Sequence, residues 1–164
     1  MTVQLALALG VAKEELIHIR RGAILHDIGK VAIPDDILLK PGPLTEDEWS
    51  IMRKHPVVAV ELLTPINYLS PALDIPHWHH ERWDGTGYPD NLKGEQIPFS
   101  ARVFSIADVY DVLISERPYR NAWTKQKAIE YIKEQTGKLF DPGIVPEFLK
   151  LVHSNEFSPA DWRS

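Results

Sequence analysis

Residues 13–30 read Lys-Glu-Glu-Leu-Ile-His-Ile-Arg-Arg-Gly-Ala-Ile-Leu-His-Asp-Ile-Gly-Lys. Apolar side chains recur in this stretch every three or four residues, which predicts an amphipathic helix over about residues 13–28. The side chains that form this apolar stripe include Leu16, Ile19 and Ala23. His26 and Asp27 stand at the end of the predicted helix, so one segment contributes both to a core and to a group of side chains that can bind a metal ion.

Turn and capping residues divide the chain into further helices. Residues 1–10 predict a helix that Gly10 ends. Thr45, followed three residues later by Glu48, predicts a capping box at the start of another helix. A helix is also expected to begin at His55-Pro56, because proline is tolerated in the first helical turn.

The middle of the chain is predicted to be helical as well. Residues from about 70 to 83 form one predicted helix, and it cannot continue through Asp84-Gly-Thr-Gly-Tyr-Pro89. Ser100 is the expected N-cap of the following helix, which carries Asp108.

The fold class follows from the remaining segments. The β-branched run from Val103 to Ile114 is the one strand candidate, but its apolar residues repeat at helical spacing, so a helix is expected there too. Thr124 and Asp141-Pro142 open the last two predicted helices, and Gly137 closes the first of that pair. The prediction is an all-α bundle of about seven helices.

Composition predicts a single globular domain. The 164 residues, 44% hydrophobic and 25% charged, are average for one domain. A net charge of −5 argues against binding to DNA or RNA, and no apolar run is long enough to cross a membrane. The absence of cysteine excludes disulfides, iron–sulfur clusters and thiolate zinc sites, and it fits a reducing cytoplasm.

Histidine and aspartate residues from separate parts of the chain form a candidate metal-binding set: His26, Asp27, His55, His79, His80 and Asp108. Imidazole and carboxylate ligands suit Fe, Mn, Zn or similar ions that activate water. Adjacent side chains on a helix diverge by roughly 100°, so neighbouring pairs such as these suit a cluster of ions better than a lone ion. A single His-Asp pair is more often a helix cap or a surface feature; the number of such residues here favours a metal-dependent hydrolase.

Four motifs resemble the signature of the HD-GYP family: His26-Asp27-Ile-Gly-Lys30, His55-Pro56, His79-His80-Glu81 and Asp84-Gly-Thr-Gly-Tyr-Pro89. The similarity runs from about residue 11 to residue 152 and includes Arg117-Pro-Tyr-Arg120. It implies that residues 1–164 form one HD-domain-like helical bundle. It also implies two bound divalent ions, with iron or manganese preferred over zinc, nickel, magnesium or calcium. It also implies hydrolysis of the bacterial messenger cyclic di-GMP.

The resemblance implies roles for individual residues. All six histidines and aspartates named above are implied metal ligands, with Asp27 bridging two ions. Lys30 is similar to the family's phosphate-contacting lysine, and Arg117 and Arg120 match positions where basic residues face the substrate phosphates. Tyr88 is an implied substrate contact, and the Gly87-Tyr88-Pro89 turn an implied contact for diguanylate cyclases.

The implied reaction is attack of metal-activated water on phosphorus, with no protein nucleophile, giving pGpG and leaving open a further step to GMP. Glu81 and Asp84 are expected to hold the metal ligands in place without binding the metal themselves. Whether the chain is a monomer or a homodimer stays open.

One departure from the family keeps other functions open. Family members carry a further glutamate and histidine upstream of the His-Asp helix, and the chain begins at Met1 just after their position, so it is expected to be truncated relative to a longer protein. The alternative is a weak or inactive module that binds cyclic di-GMP or a cyclase. A third candidate is a phosphohydrolase of another nucleotide, such as a hybrid cyclic dinucleotide or a guanosine polyphosphate.

Overall fold

The structure, a computed structural model, describes residues 1–116 and 121–154. The α-helices in these ranges are α1 (Thr2–Ala8), α2 (Lys13–Leu25), α3 (Asp35–Leu38), α4 (Glu46–Met52), α5 (His55–Leu63), α6 (Asp74–Trp78), α7 (Phe99–Ile114), α8 (Lys125–Glu134) and α9 (Val145–His153). Short 3-10 helices span Ile28–Ala32, Asn67–Ala72 and Gly94–Gln96.

The all-α prediction is confirmed, with more and shorter helices than the seven expected. The described residues contain no strand, and their one isolated bridge joins Thr136 to Phe140. Nor do they contain a helix long and apolar enough to span a bilayer.

Helix α7 occupies the centre of the bundle. Its buried side chains Val103, Ile106 and Tyr110 recur at helical spacing, which confirms the helix expected over 103–114. Tyr110 meets Phe148 of α9 edge to face, with ring centroids 5.2 Å apart. Leu5 of α1 is fully buried in the same core. This core fixes the position of α7 relative to the helices that carry the histidines.

The helix predicted over 13–28 ends earlier, at Leu25, and the chain continues as the 3-10 helix Ile28–Ala32. The reason is the packing of Gly29 against α5, where a Cβ atom on Gly29 would lie 1.9 Å from the carbonyl oxygen of His55. His26 and Asp27 therefore occupy the junction between two helices instead of a continuous helical face.

The helix predicted over 70–83 was too long. Only Asp74–Trp78 is α-helical: residues Asn67–Ala72, which include Pro71, form a 3-10 helix, and Pro76 is tolerated in the first turn of α6. His79 is the C-cap of α6, and His80 follows in the turn.

The predicted helix boundaries are confirmed at Thr45 and Thr124, at His55-Pro56, where α5 begins, and at Gly10, which follows the C-cap of α1 with a φ of 84°. Thr45 and Glu48 form the expected capping box, and Thr124 accepts a hydrogen bond from the amide of Lys127. The N-cap predicted at Ser100 is wrong. Pro98, not Ser100, is the N-cap of α7, and the Ser100 hydroxyl lies 3.3 Å from a carboxylate oxygen of Asp74.

The last helix also begins later than predicted. Asp141 accepts a hydrogen bond from the amide of Gly143 and forms a turn, and α9 starts at Val145. Helix α8 ends at Glu134, and Gly137, with a φ of 75°, lies two residues beyond its C-cap.

Candidate metal centre

Four of the predicted ligands meet in one place. Asp27, His55, His79 and His80 each offer one donor atom, and these atoms lie within 4.8 Å of one another. Oδ1 of Asp27 is 3.4 Å from Nε2 of His55 and 3.8 Å from Nε2 of His79. The two Nε2 atoms are 3.5 Å apart. Side chains from three separate segments thus converge on a common point.

Backbone carbonyl groups fix which ring nitrogen of these histidines carries the hydrogen. Nδ1 of His55 donates to the carbonyl oxygen of Met52 at 2.8 Å, and Nδ1 of His79 donates to that of Ile75 at 2.9 Å. A carbonyl oxygen only accepts, so Nε2 of each neutral ring carries a lone pair. The same carbonyl contact occurs at His26, where Nδ1 lies 2.8 Å from the carbonyl oxygen of Ala23, but Nε2 of His26 faces Oδ2 of Asp27 at 3.3 Å.

The carboxylate of Asp27 has one satisfied and one unsatisfied oxygen. Oδ2 accepts a hydrogen bond from Nζ of Lys30 at 2.6 Å and lies 3.3 Å from Nε2 of His26. Oδ1 is buried without a hydrogen-bond partner among the described residues. Lone pairs of Oδ1 and of two Nε2 atoms therefore face one another, an arrangement that repels unless a cation lies between them. The donor set fits a divalent metal ion.

The electrostatics keep these groups in their metal-binding protonation states. Burial lowers the pKa of His79 to about 3, assisted by the charges of His26 and His55. Burial likewise lowers the pKa of His80 to about 2 and that of His55 below its usual value. Although burial opposes it, hydrogen bonds from His26 and Lys30 hold the pKa of Asp27 far below its usual value. At neutral pH the imidazoles of 55, 79 and 80 are neutral and the carboxylate is ionised.

His26 and Asp108 lie beside this group of four and are not part of it. Burial raises the pKa of Asp108, and the charges of His26 and Asp27 are close enough to affect it. Burial favours neutral His26, but the hydrogen bond and charge of Asp27 outweigh it and raise the pKa of His26. The ligand roles of His26 and Asp108 stay predictions.

Tyr88 lies against the candidate ligands. Its ring stacks on that of His80, with centroids 4.7 Å apart and planes at 23°, and meets His55 edge to face at 6.5 Å. Burial raises the pKa of its phenol, so the hydroxyl group stays protonated and can donate a hydrogen bond. Tyr88 therefore lies beside the candidate metal ligands, and its role as a substrate contact stays a prediction.

Glycines shape the turn that carries Tyr88. Gly85 has a φ of 84°, in agreement with the predicted turn. A Cβ atom on Gly87 would lie 2.4 Å from the amide nitrogen of Arg82, so glycine is required there for close approach. Asp84 accepts hydrogen bonds from the amide and the hydroxyl of Thr86 at 2.9 and 2.6 Å. Asp84 thus stabilises the turn itself.

Glu81 anchors the same turn from beneath. Its buried carboxylate accepts hydrogen bonds from the amides of Asp90 at 2.7 Å and Leu92 at 3.1 Å. The expectation that Glu81 supports the ligands is met indirectly, because it holds the segment that presents Tyr88 to His80.

Replacement of Glu81 by Gln should lower the free energy of unfolding by about 2 kcal/mol, because a charged acceptor of two amides is lost in a buried position. Urea unfolding of the two proteins measures this loss. Glu95→Gln is the matched control, since Glu95 is exposed and its replacement should change the free energy of unfolding little. Equal effects of the two substitutions would contradict the anchoring role.

The sequence reasoning missed Arg53 and Trp49. The guanidinium carbon of Arg53 lies 5.7 Å from the ring centroid of Trp49 and 5.9 Å from that of Tyr88. Its position two residues before His55 was the one signal available in the sequence. The predicted phosphate contacts Arg117 and Arg120 lie outside the described residues.

Known proteins are similar to this chain in sequence and in fold. The profile of the HD domain family matches residues 1–144. The cyclic di-GMP phosphodiesterase response regulator RpfG of Xanthomonas campestris pv. campestris is 49% identical over 144 residues, which cover 87% of this chain and 38% of that protein. The 3'3'-cGAMP-specific phosphodiesterase 2 of Vibrio cholerae is 44% identical over 156 residues, covering 94% of this chain and 30% of that protein.

The fold resembles the crystal structure of a cyclic GMP-AMP specific phosphodiesterase of V. cholerae, with a TM-score of 0.73 and 19% identity over 93% of this chain and 42% of that chain. The chain spans well under half the length of each of these relatives.

Proposed function

Since this chain belongs to the HD domain family and to its HD-GYP members, we propose that it is a metal-dependent phosphodiesterase that hydrolyses cyclic di-GMP to linear pGpG, with GMP as a further product. Curated relatives at 49% and 47% identity support this reaction, because their names are those of cyclic di-GMP phosphodiesterases. The V. cholerae relatives named for 3'3'-cGAMP keep that hybrid dinucleotide as the competing substrate.

The single observation that carries the proposal is the convergence of unprotonated donors. The unpartnered Oδ1 of Asp27 and the Nε2 atoms of His55 and His79 point at one another without an intervening donor among the described residues. We propose that these residues with His26, His80 and Asp108 bind two divalent ions, iron or manganese, with Asp27 contacting both.

Bound divalent ions supply a Lewis acid for the phosphoryl oxygen and lower the pKa of the attacking water. The chain itself orients the donors through backbone carbonyl groups and holds Asp27 ionised. Lys30 donates to Asp27 at 2.6 Å, which sets its ammonium group at the edge of the centre, where it can stabilise charge on the phosphoryl group. One such donor is worth about 3 kcal/mol in a transition state.

Other roles complete the proposal. Tyr88 contacts the substrate from its position on His80, and Arg117 and Arg120 bind the phosphates. The Gly87-Tyr88-Pro89 turn is the proposed contact for diguanylate cyclases. The proposed location is the cytoplasm, since a chain without cysteine needs no oxidation to fold.

The test combines elemental analysis of metal per chain with chromatography of nucleotides after anaerobic, iron-supplemented incubation. The expected result is about two metal ions per chain and conversion of cyclic di-GMP to pGpG, abolished by prior chelation and restored by iron or manganese. Incubation with 3'3'-cGAMP runs in parallel. Tight binding of cyclic di-GMP without cleavage by the fully metal-loaded protein would contradict an enzyme and support a binding module. Faster cleavage of 3'3'-cGAMP would overturn the substrate assignment.

A further inference from the structure

A basic and aromatic surface adjoins the candidate metal centre. It consists of Trp49, Arg53 and Tyr88, and we refer to it as the Arg53 platform. The guanidinium group of Arg53 lies over both aromatic rings, at 5.7 and 5.9 Å from their centroids. Tyr88 connects the platform to the centre, because the same ring stacks on His80 at 4.7 Å. Trp49 lies in α4, and Arg53 is the C-cap residue that follows this helix.

The charge of Arg53 is not neutralised within the described part of the chain. No carboxylate oxygen of these residues lies within 4.0 Å of its guanidinium group, whereas Lys30 is paired with Asp27 at 2.6 Å. Arg53 is also exposed to solvent. Its contacts in this part of the chain are the faces of the two rings, which orient the guanidinium plane and leave its N–H groups available to a ligand.

The position of Arg53 argues for contact with a base. Tyr88 contacts both groups, because its ring centroid lies 4.7 Å from that of His80 and 5.9 Å from the guanidinium carbon of Arg53. Arg53 is thus linked through one aromatic ring to the residues that would hold a substrate phosphate. In a nucleotide the base is likewise separated from the phosphorus, by about the width of one ring. Flanking aromatic rings and a flat guanidinium group are typical of surfaces that bind an unstacked base.

We propose that Arg53 determines base specificity by donating two N–H groups to O6 and N7 of one guanine of the substrate, and that Trp49 positions its guanidinium group. The guanine edge presents two acceptors that match the fork of arginine, whereas adenine presents a donor and an acceptor. This inference rests on the proposed function, since it assigns a guanine-containing dinucleotide to the same site.

The test compares Arg53→Gln and Arg53→Lys with the unchanged protein, each loaded with metal. For cyclic di-GMP, both substitutions should raise KM by about tenfold to a hundredfold, the range of one bidentate guanine contact, with kcat changed less than about twofold. Lysine should not rescue, because it lacks the planar fork. Hydrolysis of bis(p-nitrophenyl) phosphate, a diester without a purine, should be unchanged. Lys54→Gln, which removes the neighbouring exposed charge, is the control and should leave both substrates unaffected.

Two results would overturn the inference while leaving the proposed function standing. One is cleavage of cyclic di-GMP by Arg53→Gln with an unchanged KM. The other is equal loss for both substrates with recovery in Arg53→Lys, which identifies a phosphate contact. Calorimetric titration of cyclic di-GMP into the same proteins gives a readout independent of turnover. If the unchanged protein cleaves nothing, the proposed function fails, and weaker binding by both Arg53 variants than by Lys54→Gln would still support the guanine contact.

Discussion

Asp27→Asn should abolish hydrolysis of cyclic di-GMP and leave the helical fold intact. The substitution removes the charge of the carboxylate whose Oδ1 faces the lone pairs of His55 and His79. Turnover is expected to fall by on the order of a thousandfold, the upper range for loss of one electrostatic group in an active site. Metal per chain should fall as well. Asp27 lies in a turn with 37% of its side chain exposed, so the metal-free protein should stay folded, with the midpoint of urea unfolding lowered only by the loss of the ion pair with Lys30.

The matched control for this prediction is Asp36→Asn, which removes an exposed carboxylate of α3 away from the centre. Its turnover and metal content should equal those of the unchanged protein. Full activity of Asp27→Asn would refute the assigned centre. An unfolded Asp27→Asn protein would instead contradict the view that this side chain serves the site and not the core, and circular dichroism distinguishes the two cases.

Gly29→Ala is expected to produce the largest loss of stability. The added Cβ atom would lie 1.9 Å from the carbonyl oxygen of His55 and 2.7 Å from the amide nitrogen of Ala59, both in the backbone of α5. Backbone atoms cannot rotate away as a side chain does, so α5 must shift. We expect the free energy of unfolding to fall by roughly 3 kcal/mol or more. Because α5 carries His55, metal binding should weaken together with stability.

Gly10→Ala separates this steric effect from the loss of glycine itself. Gly10 has a φ of 84°, but no heavy atom lies within 4 Å of a Cβ atom built there. Its replacement should cost only about 1 kcal/mol of unfolding free energy, the strain of a left-handed residue, and leave metal content unchanged. If urea unfolding gives the same loss for both glycines, the close packing of the 3-10 helix on α5 is not what Gly29 provides.

The sequence predicted those features that depend on local chemistry. Thr45 and Glu48 cap α4 as expected because the capping box needs only residues three apart. The helix through Val103 was predicted because its apolar residues repeat every three to four residues, and these are the residues that α7 buries. The meeting of Asp27, His55, His79 and His80 was predicted from residue type, since few other environments favour so many imidazoles beside a carboxylate.

Other contacts between distant segments were not predicted. Helix α2 stops at Leu25 because of the fit between Gly29 and α5, and no local signal records that contact. Glu81 hydrogen-bonds amides nine and eleven residues away, so its anchoring role requires the path of the chain. Arg53 meets Trp49 one helical turn away, but its contact with Tyr88 depends on the path of the chain between them.

The carbonyl groups that orient the imidazoles belong to the final turns of three helices, at Ala23 in α2, Met52 in α4 and Ile75 in α6. The carbonyl oxygens of Ala23 and Met52 accept from no backbone amide of the described residues, as is usual at helix C-termini, whereas that of Ile75 also accepts from the amide of His79 at 3.0 Å. Lengthening α2 or α4 by one turn would supply a backbone amide to its carbonyl oxygen, and that amide would compete with the imidazole that the oxygen orients. A designed bundle that carries this centre therefore also needs helices that end at the same positions. Without these helix ends, the ligand residues would lack the carbonyl groups that orient their imidazole rings.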